Sequence, residues 1–254
     1  MTTLESKPVA AVLQRLLGLP NASSQSVRPS PRRSRARHED DDPVRSKTGY
    51  LDFYRPMKDM PLAVSRETGA LLYMLARSSR AKTIVEFGAS FGISTIFLAS
   101  ALRDNGGGRL ITTEFEPSKI ARARKHLTEA GLIELVEIRE GDALLTLKSG
   151  LPETIDLVLL DGAKGIYLEV LSLLEARLPS GARVVADNTN YCPDYEARVR
   201  EPANGYLSIP FGDDVEVSMR TSSTSASGPR DEPRWASSRS MSSNDETMKG
   251  IRDE

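Results

Sequence analysis

Cysteine is nearly missing from this chain of 254 residues. Cys192 stands alone, which excludes an intrachain disulfide framework and any cysteine-based zinc cluster. Histidine is almost as scarce, with only His38 and His126, so a His-rich metal site has little to draw on. No apolar run approaches the ~20 residues that a membrane span requires. Neither sign of charge prevails: 34 Lys and Arg against 35 Asp and Glu leave a net charge of −1. That balance argues against wholesale binding to nucleic acid or to a membrane. What remains is 39% hydrophobic residues, enough for a sizeable core that is diluted elsewhere in the chain. The expectation is a soluble, cytoplasmic protein. An Arg- and Ser-rich N-terminus also raises a transit peptide, but Glu5 comes early and the arginines lie outside the apolar patch.

Composition divides the chain into residues 1–49, 50–220 and 221–254. In the first part Val9, Val12, Leu13, Leu16 and Leu17 predict an amphipathic helix that stops near Gly18 and Pro20. A Ser/Pro/Arg stretch then turns acidic at His38-Glu39-Asp40-Asp41-Asp42 and reads as a flexible charged linker. The last part is Ser-rich without periodicity, and disorder is the expectation there.

The middle part alternates. Apolar runs at 83–87, 110–113, 135–138, 156–160 and 182–186 read as buried strands, with amphipathic helices between them. Two further runs, 206–209 and 215–219, sit close enough to pair as a hairpin. This pattern specifies an α/β fold: a Rossmann-like, doubly wound, seven-stranded sheet, mostly parallel, with an antiparallel C-terminal strand.

Ligands of such sheets bind beyond the carboxyl ends of the strands, where strand order reverses. The first strand runs into Glu86-Phe87-Gly88-Ala89-Ser90-Phe91-Gly92, which is not the G-x-G-x-x-G of dinucleotide enzymes. A plain strand-to-helix turn would use the same glycines. The second strand ends in Glu114, an acceptor suited to a ribose diol; Glu116 competes but should point the other way. No Lys or Arg stands between Gly88 and Ser94, and Glu86 and Glu114 would repel a pyrophosphate, so a nucleoside without phosphates fits better. S-adenosylmethionine is the commonest such cofactor on this fold. After the third strand, Gly141-Asp142-Ala143 is placed to meet an adenine, and Asp142 also suits the N-cap of a short helix. The fourth and fifth strands end in Asp161 and in Asp187-Asn188. If they are neighbours, about 4.8 Å apart, two carboxylates and an amide converge on a hard-oxygen site suited to Mg²⁺, with Lys164 beside them.

With Asp161-Gly162-Ala163-Lys164, Tyr167-Leu168 and Ala186-Asp187-Asn188, preceded by Glu86-Phe87-Gly88-Ala89 and Ile111-Thr112-Thr113-Glu114, the chain resembles the metal-dependent class I O-methyltransferases of the catechol O-methyltransferase type. The resemblance covers about Leu62 to Arg220. It implies that Val64, Glu86, Gly88, Ser94, Glu114, Gly141, Asp142, Ala143 and Asp161 contact S-adenosylmethionine, with Ser94 at its carboxylate. It implies Mg²⁺ on Asp161, Asp187 and Asn188, Lys164 as general base, and Glu216 as the acid that orients a second substrate hydroxyl. The implied acceptor is a small phenol or vicinal diol, and a homodimer is left open. One departure stands out: the family carries a His and a bulky aromatic where this chain has Gly162 and Ala163. The acceptor pocket should then be wider, or lined by Tyr50, Phe53, Tyr54 and Met57, residues that equally suit a core. Competing readings are a metal-independent methyltransferase and a cofactor-binding protein without turnover.

Overall fold

The computed structural model describes residues 1–19 and 43–221. Most of the charged linker and nearly all of the Ser-rich tail lie outside the described residues. In chain order the helices are α1 (Lys7–Leu17), α2 (Tyr50–Tyr54), α3 (Arg66–Ser78), α4 (Ile93–Asp104), α5 (Pro117–Glu129), α6 (Ala143–Thr146), α7 (Tyr167–Leu174) and α8 (Pro193–Arg200). The strands are β1 (Thr83–Phe87), β2 (Arg109–Glu114), β3 (Val136–Glu140), β4 (Leu157–Leu160), β5 (Arg183–Ala186), β6 (Tyr206–Phe211) and β7 (Val215–Arg220).

All seven strands form one sheet in the order β3-β2-β1-β4-β5-β7-β6. Strands β1 to β5 run parallel, and β7 enters antiparallel between β5 and β6. This is the mixed, mostly parallel sheet that the alternating pattern predicts. Strand order reverses between β1 and β4, which brings the carboxyl ends of β2, β1, β4 and β5 side by side.

Period-two alternation sends neighbouring strand residues to opposite faces, and each face has its own core. Ile84, Leu157 and Leu159 pack with Leu72, Ile96, Leu98 and Leu127 of α3, α4 and α5. Val85, Phe87, Val158 and Leu160 pack with Tyr167, Leu171, Tyr195 and Val199 of α7 and α8. Helix α4 is buried along ten consecutive residues, Ile93 to Leu102, as a helix apolar on every side must be.

Residues 1–19 and 43–49 do not stand apart from this core. Val9, Val12, Leu13 and Leu16 of α1 are buried in the α3–α4–α5 cluster, each burial being worth about 1.5–3 kcal/mol. Thr3 Oγ1 and Tyr73 Oη both donate to the Asp104 carboxylate, tying the chain start to α3 and α4. The last residues of the expected linker are also docked: Val44 is buried, and Lys47 Nζ lies 2.8 Å from Glu169. Helix α8 escapes the apolar periodicity, because Pro193–Arg200 is rich in charge and buries only Tyr195 and Val199, one turn apart. Among the described residues no helix is long and apolar enough to cross a membrane.

Candidate active site

A cleft opens over the carboxyl ends of these central strands. Of the residues singled out in the sequence, Gly88, Glu114, Gly141, Asp142, Ala143, Asp161, Lys164, Asp187 and Asn188 line it. They come from five separate loops that the reversal of strand order brings together.

Close approach at its floor depends on glycine. Gly88 has φ +102°, and a Cβ there would sit 2.5 Å from the Asp161 carbonyl oxygen, while Asp161 N–H donates to Phe87 O at 2.9 Å. The β1 and β4 loops therefore touch. Gly162 has the same kind of constraint for another reason: a Cβ on it would lie 2.4 Å from Phe87 Cζ, so the phenyl ring takes the space beside the glycine.

Glu114 is held in place by backbone amides. Ser90 N–H donates to its Oε2 at 2.9 Å, and Phe115 and Glu116 N–H donate to Oε1 at 2.9 and 3.0 Å. Burial nevertheless raises its pKa above the usual carboxylate range, against the pull of those donors. Glu116 turns away, as strand alternation predicts, and caps α5 through Ser118 N–H. Asp142 caps α6 through Leu144 N–H at 2.9 Å while facing the cleft.

At the other end of the cleft, Asp161 and Asp187 meet, and Asn188 lines the same wall. Burial raises the pKa of Asp187 to about 8, and the neighbouring charge of Asp161 adds to it; burial raises Asp161 as well. Asn188 has φ +56° and donates Nδ2–H to Asp214 Oδ2 at 3.0 Å, which leaves Oδ1 as its ligand end. Two buried carboxyl groups that cannot both ionise, plus an amide oxygen, form a donor set that fits a hard divalent cation. No group of three or more His, Cys, Asp or Glu side chains makes a metal site among the described residues.

Lys164 Nζ sits against this pair. It lies 3.0 Å from Asp161 Oδ1 and 2.7 Å from Tyr167 Oη, which itself donates to Asp187 O at 2.9 Å. Burial works to lower its pKa, but Asp161, Tyr54 and Asp187 outweigh burial and hold it above the ordinary lysine value. The lysine is a paired ammonium, not one depressed by its surroundings.

Four sequence-based assignments fall outside the cleft lining. Glu216 on β7 is fully buried beneath α8, where Arg200 Nη2 lies 2.6 Å from Oε2 and Ser208 Oγ donates to Oε1 at 2.6 Å. It pairs with Ala186, one residue short of Asp187, and its carboxylate is committed to Arg200 and not to a substrate. Glu86 lies under the loop, accepting from Ser94 Oγ and Thr95 Oγ1 at 2.6 Å each. It locks α4 onto β1, and the same bond commits the Ser94 hydroxyl. Val64 is buried just past the lining residues Leu62 and Ala63.

The sequence reading missed Lys119, Phe115 and Tyr191, all of which line the cleft. Lys119 lies on α5 at a position that helical patterning assigns to solvent, yet only 4% of it is exposed. Of the four N-terminal residues considered for the pocket, Tyr50 and Tyr54 line it and Phe53 and Met57 do not.

Residues 85–189 match the family model of a methyltransferase domain. The sheet order and the cleft over β1 agree with this match and give the described region the fold of class I methyltransferases. Its sequence is similar to the catechol O-methyltransferases: 38% identical to that of Niastella koreensis over 130 residues, covering 50% of this chain and 58% of the relative. The catechol O-methyltransferase of Mycobacterium tuberculosis is 34% identical over 127 residues, covering 50% and 57%. The chain thus spans well under two thirds of the length of these relatives. Among solved structures, the O-methyltransferase TomG from Streptomyces achromogenes, crystallised with SAM, superposes with a TM-score of 0.56 at 29% identity, covering 66% of this chain and 86% of the other.

Proposed function

We propose that this chain is an S-adenosylmethionine-dependent O-methyltransferase that methylates a hydroxyl of a small phenolic or vicinal-diol acceptor, with Mg²⁺ held by Asp161, Asp187 and Asn188. The observation that carries the reading is the convergence of those three oxygen donors with Lys164 at one end of a cleft whose other end presents Glu114 and Asp142. The SAM-bound O-methyltransferase and the catechol O-methyltransferases similar to this chain support it. Bound there, S-adenosylmethionine would supply an electrophilic methyl group and Mg²⁺ a Lewis acid that lowers the pKa of a hydroxyl.

The chain's own residues have separable tasks. Glu114 accepts from the ribose, and the Gly141–Ala143 turn flanks the adenine. Lys164, once it has given up its own proton, takes the hydroxyl proton, and Tyr167 Oη and Asp161 Oδ1 fix where its nitrogen sits. Phe87, Tyr50, Tyr54 and Tyr191 wall the cleft against water. With Gly162 and Ala163 in place of bulkier residues, Phe87 fills the space beside Gly162, and Tyr50 and Tyr54 supply the N-terminal aromatic contacts to the acceptor.

The test is a methyl-transfer screen with labelled cofactor across phenols and diols, with and without a chelator. Transfer lost on chelation and restored by Mg²⁺ supports the reading. Transfer that ignores the chelator favours a metal-independent methyltransferase, and cofactor binding without transfer favours a binding protein.

A further inference from the structure

Antiparallel pairing lays the turn between β6 and β7 against the end of the cleft where the metal ligands are proposed. Ala186 of β5 faces Glu216 of β7, so the same register carried two residues further sets Asp214 opposite Asn188. The backbone fastens this meeting. Thr189 N–H donates to Asp214 O at 2.8 Å, and Thr189 Oγ1 is itself bound to Glu196 Oε1 at 2.8 Å. Beside it, Asn188 Nδ2–H donates to Asp214 Oδ2 at 3.0 Å. The Asn188 backbone sits in the left-handed region at φ +56° and ψ +43°, which asparagine tolerates better than most residues.

A side-chain amide is ambiguous in a way that a carboxylate is not. Its two ends have nearly the same shape, and a half-turn exchanges an acceptor oxygen for a donor nitrogen. Mg²⁺ takes oxygen ligands, so the order of the two ends decides whether Asn188 can serve as one. The carboxylate of Asp214 has no hydrogen to give and only accepts. It therefore draws the nitrogen to itself and turns Oδ1 the other way. Asp214 is not itself a third carboxylate at the ion: no group of three or more His, Cys, Asp or Glu side chains could hold a metal among the described residues. Asn188 lines the cleft, and Asp214 stands behind it, outside the lining.

We propose that Asp214 is a positioning residue: by accepting from Nδ2 it fixes the Asn188 amide with its oxygen available to the divalent cation. This rests on the metal reading above. Hydrogen-bond partners that orient a metal ligand contribute about 10- to 100-fold to metal affinity.

Mn²⁺ titrated into the full chain, with the free ion counted by electron paramagnetic resonance, tests this without any turnover. Asp214→Ala should weaken Mn²⁺ binding by about tenfold or more. Asp214→Asn keeps an acceptor oxygen without the charge and should stay within about threefold of the parent. Adding Asn188→Asp to Asp214→Ala should recover most of the loss, because the two oxygens of a carboxylate are equivalent and need no orienting. Unchanged binding in Asp214→Ala overturns the proposal. Equal weakening by both Asp214 substitutions also overturns it, since only the charge would then matter. A loss that Asn188→Asp fails to relieve does the same, and would make Asp214 a fastening of the turn. Failure of the unmodified chain to bind Mn²⁺ overturns the metal reading itself, and this role with it.

Discussion

Lys164 Nζ and Asp161 Oδ1 stand 3.0 Å apart with side chains that are 8% and 11% exposed, a single buried ion pair joining the proposed base to a proposed metal ligand. Breaking such a pair from one side leaves an uncompensated charge in the interior. The two residues therefore have to be tested with stability and chemistry measured separately.

Lys164→Met should lower the methyl-transfer rate by up to about 10²- to 10⁴-fold, the usual contribution of a positioned base, at pH values where Lys164 has given up its own proton. Because Lys164 is held above the ordinary lysine value, the unmodified enzyme should speed up as pH rises. The deficit of the variant should shrink toward the acceptor's own pKa, where no base is needed. A pH-independent deficit would argue against proton transfer to Lys164.

Asp187→Asn should cut turnover at least about 100-fold and abolish the response to added Mg²⁺, while S-adenosylhomocysteine affinity changes by no more than a few-fold. It removes one of two mutually repelling carboxyl groups, so the variant should melt no lower than its parent. Unchanged turnover in excess chelator, together with a fully active Asp187→Asn, contradicts a metal site.

Glu86 should make the fold sensitive to alkali. Burial raises its pKa to about 7 from 4.5, against the pull of Ser94 and Thr95. The folded state then binds a proton that the unfolded chain releases first, so stability is complete below pH 4.5 and falls as pH rises to about 7. The loss is at most about 3 kcal/mol. Denaturation at pH 5 and pH 8 should show Glu86→Gln losing less than its parent. Parallel losses would mean Glu86 is ionised throughout.

Arg200→Met should destabilise the fold by about 1.5–3 kcal/mol, because it strips the fully buried Glu216 of its cation. Burial raises the Glu216 pKa, but hydrogen bonds from Arg200 and Ser208 outweigh it and hold it below 4.5. This contribution is present above pH 4.5 and disappears as acid titrates the folded carboxylate. Cofactor affinity should not move. A Glu216→Gln variant that folds normally but loses turnover would return this residue to the active site.

The sheet was legible because its strands are continuous apolar runs such as Leu157–Leu160, which few other structures could bury. The cluster at Asp161, Asp187 and Asn188 was legible because adjacent strand ends fix where their side chains go. Lys119 was not, since a lysine between helical residues signals solvent unless the path of the next strand is known. Glu216 was misplaced for a related reason. It was assigned from the family resemblance alone, and the pairing of β7 with β5 delivers its carboxylate to Arg200 on α8. Parity along a strand is readable from sequence; the face against which a returning strand lays that parity is not.

The ring of Phe87 against the bare backbone of Gly162 makes acceptor choice a joint property of two loops. A side chain added at 162 alone would collide with the phenyl group. Trimming Phe87 alone would leave a void beside Tyr167, whose ring lies 6.2 Å away. Neither single change is a viable step toward a narrower, catechol-shaped pocket. A lineage or laboratory selection that moves this pocket in that direction should therefore show the two positions changing in a coupled way.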